Sequence, residues 1–379
     1  MSKKSYQVKI NILNNSNSFV DDPLFLSGTF NNWAEHLKIG LIPQQGEQIT
    51  YLLENVKSGD LELKISRGNW DNLSSSKEGK LELPHISKIQ KDSEVNLTIE
   101  AWRDQFPKST ASKQVHVLDE HFFFPDLNVF RKVWIYLPKD YATSSERYPV
   151  IYMHDGQHLF DEATSVGRAG PVEWMVDETI DEANIPAIVI AIDHAKTYEL
   201  RQQEYLVNPS HTTEKAQGWD YLEDIVNSLK PFVDKHYRTI PDAMHTAMIG
   251  SSIAALLSIY AGIKYPQVFG TIASFSPSIW MDEQNLYNYS KKKLQEKGEN
   301  RKNQELYFYI GDKERRFRLM DEQNNMKLDL DKYYDWLKGN YEGELKLDLE
   351  FEGKHGAIYW QKAFAKFYDY WQTKLNSIK

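Results

Sequence analysis

The sequence has no cysteine among its 379 residues, which excludes disulfide bonds, thiolate catalysis and cysteine-ligated zinc. It also lacks any apolar run approaching the roughly 20 residues that a membrane-spanning helix needs. Basic residues number 45 against 54 acidic ones, for a formal net charge of −9. Nucleic-acid-binding surfaces typically contain clustered Lys and Arg. We therefore expect neither nucleic acid nor a membrane as a partner, and the oligomeric state stays open.

The N-terminus runs directly into an alternating strand pattern and has no apolar signal-peptide core. We therefore expect a cytoplasmic protein. The alternative is a secreted or periplasmic protein whose signal peptide is absent from this sequence. The length of 379 residues favours two domains over one.

Residues 1–102 predict a small all-β domain, because short apolar strands recur between Gly, Asn, Asp and Ser. That spacing is typical of an immunoglobulin-like β-sandwich. The segments 25–33 and 63–70 resemble signatures of starch- and glycogen-type carbohydrate-binding modules. The resemblance implies that Trp33 and Trp70 stack on sugar rings. Two alternatives stay open: both rings fill the core, or the domain is only a spacer in front of an enzyme.

Residues 103–114 lack periodicity and carry Pro, Ser, Thr and Lys, so we expect a linker there. From residue 115 to residue 379, buried strand patterns alternate with amphipathic helical ones. The apolar run 185–193 is typical of a central parallel strand. This alternation predicts an α/β domain with a doubly wound, mostly parallel sheet.

The motif Gly-x-Ser-x-Ala at 250–254 stands between an apolar strand pattern and a helical one. A serine at a sharp strand-to-helix turn exposes its hydroxyl oxygen, and the helix N-terminus offers backbone N–H groups. Ser252 is therefore the predicted nucleophile, with the N–H of Ile253 as one oxyanion donor. The alternative is an ordinary serine helix cap.

Three further strand ends carry polar residues suited to acyl transfer. The turn after the first of them contains Gly156 and Gln157, whose backbone N–H groups could meet an oxyanion. The second ends in two carboxylates, Asp312 and Glu314, and the third in His355 on a Gly-flanked turn. The order Ser, acid, His is that of an α/β-hydrolase.

Residues 115–375 resemble the esterase D-type branch of the α/β-hydrolases, which includes siderophore, feruloyl and acetyl-xylan esterases and S-formylglutathione hydrolase. The segments that carry the resemblance are 153–160, 173–177, 201 with 204–205, 229–238, 250–252, 264–270 and 275–280. It implies an α/β-hydrolase fold with Ser252 as nucleophile, His355 as general base and Glu314 as the acid. Asp312 is the alternative acid. The resemblance also implies substrate-binding roles, which we assign to His154, Asp155, Arg201 and Trp280.

One departure concerns the residues after the nucleophile, where the family usually has glycines and this chain has Ala254 and Ala255. Methyl groups there can crowd the strand against the helix. We expect a serine ester hydrolase without metal or cofactor, acting on a small-molecule or carbohydrate ester, most simply an acetyl or feruloyl ester of carbohydrate. The alternatives are a siderophore trilactone esterase and a non-catalytic glycan-binding or scaffold protein with a degenerate hydrolase domain.

Overall fold

The computed structural model describes residues 5–34, 36–167, 170–210, 213–296, 300–316 and 324–378. The chain forms two compact units. The first comprises Met1–Thr110 together with Glu162–Val172, and the second comprises Ala111–Asp161 together with Glu173–Lys379. The sequence pattern did not indicate that residues 162–172, which follow the strand and turn at 150–158, belong to the first unit.

The first unit is built of β-strands. Its strands are β1 (Ser5–Asn14), β2 (Pro23–Gly28), β3 (Leu37–Leu41), β4 (Gln48–Lys57), β5 (Gly59–Ser66), β6 (Ser74–Ser75), β7 (His85–Ile89), β8 (Ser93–Ile99) and β9 (Ala101–Trp102). Within the described residues they form sheets in the orders β3-β2-β5-β7, β4-β1-β8 and β6-β9. Buried side chains of β1, β2, β5 and β8 pack into one hydrophobic core, as alternating strand patterns predict.

The second unit contains an eight-stranded sheet in the described part of the chain, in the order β10-β11-β13-β12-β14-β15-β16-β17. Its strands are β10 (Val115–Phe124), β11 (Val129–Tyr136), β12 (Val150–His154), β13 (Ile188–Ile192), β14 (Thr246–Ser251), β15 (Thr271–Phe275), β16 (Glu305–Gly311) and β17 (Glu344–Glu350). β10, β11 and β13 pair antiparallel, and every pairing from β13 to β17 is parallel. The expected mostly parallel α/β-hydrolase sheet is confirmed.

Helices connect and cover these strands. They are α1 (Val176–Asp181), α2 (Tyr198–Tyr205), α3 (Gly218–Asp224), α4 (Lys230–His236), α5 (Ile253–Lys264), α6 (Glu283–Leu294), α7 (Met326–Lys338) and α8 (Ala357–Ile378). A π-helical turn, Ile225–Leu229, joins α3 to α4 just before Pro231, whose missing N–H removes one regular helical hydrogen bond. Among the described residues, no helix combines the length and apolar character needed to cross a bilayer.

The central strands β12 to β16 are buried along their whole length, so their side chains pack on both faces of the sheet. Polar groups can therefore gather only where these strands end. The carboxyl ends of parallel strands meet at one edge of the sheet, which brings the residues after β12, β14, β15, β16 and β17 to the same side.

The junction of β14 and α5 is a close backbone contact at Gly250. A Cβ atom added at Gly250 would lie 2.5 Å from both the carbonyl carbon and the oxygen of Ala254. No side chain fits there, so glycine is required at this position. Ala254 and Ala255 are fully buried, and their methyl groups are accommodated next to that contact.

This contact yields a stability prediction. Gly250→Ala should lower the free energy of unfolding by about 3 kcal/mol or more, because the new methyl group meets rigid backbone rather than a movable side chain. Urea unfolding of the variant measures the change. Gly339→Ala is the matched control, since the nearest atom to its added Cβ is 3.9 Å away. Equal stability of the two variants would contradict the close-contact interpretation.

Candidate active site

Ser252 lies at the sharp turn between β14 and α5, with φ 59° and ψ −118°. Few L-residues adopt such a backbone conformation, which costs about 1–3 kcal/mol and persists only when its surroundings hold it. The Ser252 N–H donates to the Phe275 carbonyl at 2.9 Å, and its own carbonyl accepts from the Ser278 N–H at 3.1 Å. Hydrogen bonds to the end of β15 thus hold the turn, and Ser252 itself remains partly exposed.

His355 joins Ser252 to Glu314 by hydrogen bonds at both ring nitrogens. Its Nε2 is 3.0 Å from Ser252 Oγ, and its Nδ1 is 2.7 Å from Glu314 Oε2. The His355 side chain is 26% exposed and that of Glu314 is fully buried. Because an ionised carboxylate only accepts, Nδ1 carries the proton and Nε2 is free to take one from a hydroxyl group.

The buried Glu314 carboxylate is held by two more donors. Its Oε1 accepts from the Gly311 N–H at 2.8 Å and from the Ser276 hydroxyl at 2.7 Å. The indole N–H of Trp360 in turn donates to Ser276 Oγ at 2.9 Å, and the same indole ring lies edge-on to His355, with ring centroids 5.0 Å apart. A buried charge is tolerated when it is paired and hydrogen-bonded, and these groups satisfy that condition.

Asp312, the alternative acid, occupies a different position. Its backbone N–H donates to the Glu350 carbonyl at 3.2 Å, and its carboxylate is 3.7 Å from Lys313 Nζ. Among the described residues, the hydrogen-bond partner of His355 Nδ1 is Glu314. Of the two carboxylates, Glu314 is therefore the one placed to orient the imidazole.

The turn after β12 is held tightly against β13. Asp155 adopts a left-handed conformation, φ 58° and ψ 43°, and Gly156–His158 form a single 3-10 turn. A Cβ atom at Gly156 would lie 3.0 Å from the backbone carbons of Ala191 and Ile192. The Gln157 side-chain oxygen accepts the His194 N–H at 3.1 Å. The backbone of this turn is therefore fixed from two sides.

Asp155 forms a two-pronged ion pair with Arg201, at 2.6 and 2.7 Å. Burial alone would raise the pKa of the Asp155 carboxyl, but the Arg201 guanidinium overrides it and holds that pKa below its usual range. The two predicted substrate-binding residues thus bind each other. Breaking a buried pair by removing one partner costs about 3–5 kcal/mol, so this pair fixes the conformation of the turn.

Two histidines lie here, His154 at the end of β12 and His158 in the turn that follows it. Burial lowers the pKa of His154 to about 4 and that of His158 to about 4. His154 Nδ1 lies 3.1 Å from the Tyr221 hydroxyl, and the residue is only 2% exposed. Trp280, the other predicted substrate-binding residue, is half-buried against the core of the second unit.

Residues 125–369 match the family model described as Putative esterase, which covers more than half of the chain. The chain belongs to this esterase family. The assignment agrees with the resemblance drawn from the sequence motifs, and it places the chain in a family of esterases.

Three curated relatives are similar to parts of this esterase. The uncharacterised protein YbbA of Bacillus subtilis (strain 168) is 30% identical over 40% of this chain and 58% of its own length. The iron(III) enterobactin esterase of Escherichia coli (strain K12) is 30% identical over 40% of this chain and 33% of its own. The endo-1,4-beta-xylanase/feruloyl esterase of Xylanibacter ruminicola is 23% identical over 40% of this chain and 20% of its own length. The esterase thus spans 58% or less of each of these relatives.

Among solved structures, the enterobactin esterase FES from Shigella flexneri, crystallised in the presence of enterobactin, is similar in fold. It aligns with a TM-score of 0.53 and 16% identity over 94% of this chain and 89% of its own. At that identity the likeness concerns the fold alone.

The predicted sugar-binding residues of the first unit lie close together. Trp33 is 9% exposed, and its ring centroid is 6.2 Å from that of Trp70. The His36 ring meets Trp70 edge-on at 4.5 Å, and a Cβ atom at Gly170 would lie 3.3 Å from the Trp70 ring. A sugar platform needs an exposed aromatic face, so these contacts weigh against Trp33 in that role.

Three site residues had no assigned role in the sequence analysis. Ser276 and Ser278 lie in the matched segment 275–280, and Trp360 lies five residues after His355. The signal that could have located the two serines was their place directly after the buried strand β15, which lies between the strands that precede Ser252 and Glu314. Trp360 offered no such signal, because its contact with Ser276 depends on how α8 packs.

An acidic cluster lies apart from these residues at the start of α1. Carboxylate oxygens of Glu173, Asp177 and Glu178 lie within 4.8 Å of one another, a geometry that a metal ion could use. Burial, with Asp177 as the next cause, raises the pKa of Glu178 to about 9. The Ser112 N–H donates to Asp177 at 2.8 Å.

The first prediction about this site concerns Glu314 as the carboxylate that orients His355. Glu314→Gln should lower kcat about a thousand-fold or more, because an amide in that place no longer enforces the required tautomer of His355. Asp312→Asn is the matched control and should keep most of the activity. Steady-state kinetics on p-nitrophenyl acetate measure both variants. A larger loss for the Asp312 variant would reverse the assignment.

The lowered pKa of His158 predicts a pH dependence of stability. The folded pKa of His158 is about 4, below the ordinary 6.5, so the unfolded state binds the proton more readily. The contribution of His158 to the free energy of unfolding is therefore fully present above about pH 6.5 and is lost as the pH falls toward 4. When the pH is lowered from 7 to 5, the free energy of unfolding of the wild type should fall by about 2 kcal/mol more than that of His158→Gln, because the variant lacks this histidine. Urea unfolding at both pH values measures this, with the exposed His121→Gln as the control; identical pH dependence in all three proteins would refute it.

Proposed function

We propose that this esterase hydrolyses carboxylic esters through Ser252, His355 and Glu314, with an acyl-enzyme on Ser252. The observation that carries the proposal is the continuous hydrogen-bonded path from Ser252 Oγ through His355 to Glu314. His355 takes the serine proton as the oxygen attacks the ester carbonyl, and later gives it to the leaving alcohol. Glu314 holds the tautomer and stabilises the imidazolium.

The oxyanion of the tetrahedral intermediate would be bound by backbone N–H groups of Ile253 and Gln157. Ile253 is the first residue of α5, so its N–H has no carbonyl acceptor one turn earlier in the helix. Gln157 lies in the turn that the Asp155–Arg201 pair holds. Each such donor contributes roughly 3 kcal/mol to the transition state. Water then hydrolyses the acyl-enzyme, and the scheme uses no metal or cofactor.

For the substrate, we propose an ester whose acyl part carries a hydroxylated aromatic ring. This chemistry is common to the feruloyl and enterobactin esters named for the relatives. One aromatic side chain at the site supports it: the Trp360 ring lies edge-on to the His355 imidazole, with ring centroids 5.0 Å apart. A carbohydrate as the alcohol part has weaker support, because Trp33, one of the two candidate sugar-stacking residues, is buried.

The nucleophile is tested by Ser252→Ala. The variant should lose esterase activity and labelling by a fluorophosphonate probe, because both need the hydroxyl group. The melting temperature should change little or rise slightly, since the substitution leaves the core untouched. Retention of most of the turnover would disprove the assignment and would make Ser251 the next candidate.

The substrate proposal is tested by comparing kcat/KM for methyl acetate, methyl ferulate and a catecholate trilactone, whose leaving groups are all ordinary alcohols. A kcat/KM at least ten-fold higher for methyl ferulate or the trilactone than for the acetate is the expected result. The ratio between those two separates a feruloyl from a siderophore ester. Preference for the acetate would overturn the aromatic acyl group while leaving ester hydrolysis intact.

A further inference from the structure

The segment Ser276-Pro277-Ser278 contacts both ends of the hydrogen-bonded path that starts at Ser252. Ser276 donates to the Glu314 carboxylate at 2.7 Å, and two residues later Ser278 Oγ lies 3.2 Å from Ser252 Oγ. Ser276 has a positive φ of 53° and the intervening proline is rigid, so the two hydroxyl groups are held in fixed places. Ser278 is only 3% exposed, so its hydroxyl is not simply a solvated group.

The direction of the Ser278–Ser252 hydrogen bond follows from counting protons. His355 Nδ1 uses its proton for Glu314, so Nε2 can only accept, and the 3.0 Å contact requires Ser252 as the donor. A serine hydroxyl has one hydrogen. In the 3.2 Å contact between the two hydroxyl groups, Ser278 must therefore be the donor and Ser252 Oγ the acceptor.

We propose that Ser278 is a further catalytic residue, whose hydroxyl donates to Ser252 Oγ and stabilises the charge that this oxygen carries in both halves of the reaction. The inference rests on the proposed role of Ser252 as nucleophile. During attack, the Ser252 proton moves to His355 Nε2 while Oγ forms its bond to the acyl carbon and the carbonyl electron pair moves to the oxyanion. Before that bond is complete, Oγ carries partial negative charge, and the Ser278 hydrogen bond strengthens.

The same hydrogen bond acts again when the acyl-enzyme breaks down. Water attacks the acyl carbon and gives its proton to His355, and the bond from Ser252 Oγ to carbon then breaks. The electron pair returns to Oγ, which takes the proton back from His355. Between the acyl-enzyme and the restored hydroxyl, Ser278 donates to an oxygen that gains charge. Ser276 acts differently, since it touches Glu314 and not a reacting atom, so it is a positioning residue.

The decisive experiment compares Ser278→Thr with Ser278→Val, because the two side chains have the same shape and only threonine keeps the hydroxyl. The pre-steady-state burst of p-nitrophenol from p-nitrophenyl acetate gives the acylation rate constant and the apparent substrate affinity. We expect acylation in the valine variant to be about ten-fold slower than in the threonine variant, because hydrogen bonds to charged oxygen are roughly twice as strong as neutral ones. The substrate affinity should agree within about two-fold, since the hydroxyl acts on the reacting oxygen.

Three further variants distinguish a failure of the role proposed for Ser278 from a failure of Ser252 as the nucleophile. Ser258→Ala removes another fully buried hydroxyl, one that bonds the Ala254 carbonyl within α5, and should keep the wild-type rate. Ser278→Ala should match the valine variant. Equal acylation rates in the threonine and valine variants, with Ser252→Ala inactive, would overturn the role of Ser278 alone. Activity retained by Ser252→Ala would instead overturn the proposed nucleophile, whatever the Ser278 variants do.

Discussion

The contact between the Gly250 Cα and the Ala254 backbone is the constraint on which the rest of the site depends. α5 can begin immediately after β14 only because Gly250 has no side chain. This forces Ser252 into a strained conformation at the carboxyl edge of the sheet. Hydrogen bonds from the end of β15 hold the strain in place. The exposed hydroxyl and the first N–H groups of α5 follow from that single packing contact.

A second requirement is the accommodation of a fully buried carboxylate. Glu314 has three donors, the Gly311 N–H, the Ser276 hydroxyl and the His355 ring, and they come from the ends of β16, β15 and β17. Each donor reduces the free-energy cost of burying the charge and also helps to fix the orientation of the Glu314 carboxylate. His355 is thereby oriented toward Ser252 by the same interactions that stabilise the sheet edge. Stability and chemistry at this edge therefore depend on the same hydrogen bonds.

The turn after β12 is likewise held by a buried carboxylate and its partner, in this case an ion pair. The Asp155–Arg201 pair and the close approach of Gly156 to β13 hold a backbone conformation that side-chain patterns do not reveal. The sequence analysis assigned Arg201 to the substrate from the family resemblance. In the fold its guanidinium meets Asp155, from a segment 46 residues earlier in the chain. Pairing across such a distance is not readable from local spacing.

What the sequence by itself determined was local. Alternating and continuous apolar runs predicted the β-rich first unit and the parallel sheet, and the Gly-x-Ser motif located the elbow, because periodicity and backbone freedom are properties of neighbouring residues. Only the tertiary structure shows that Glu314, and not Asp312 two residues earlier, lies against the His355 ring, since the orientation of the turn after β16 depends on donors from β15 and β17. It also buried Trp33, placed Ser278 on Ser252, and joined residues 162–172 to the first unit. Each of these results comes from contacts between distant segments, which local sequence patterns do not record.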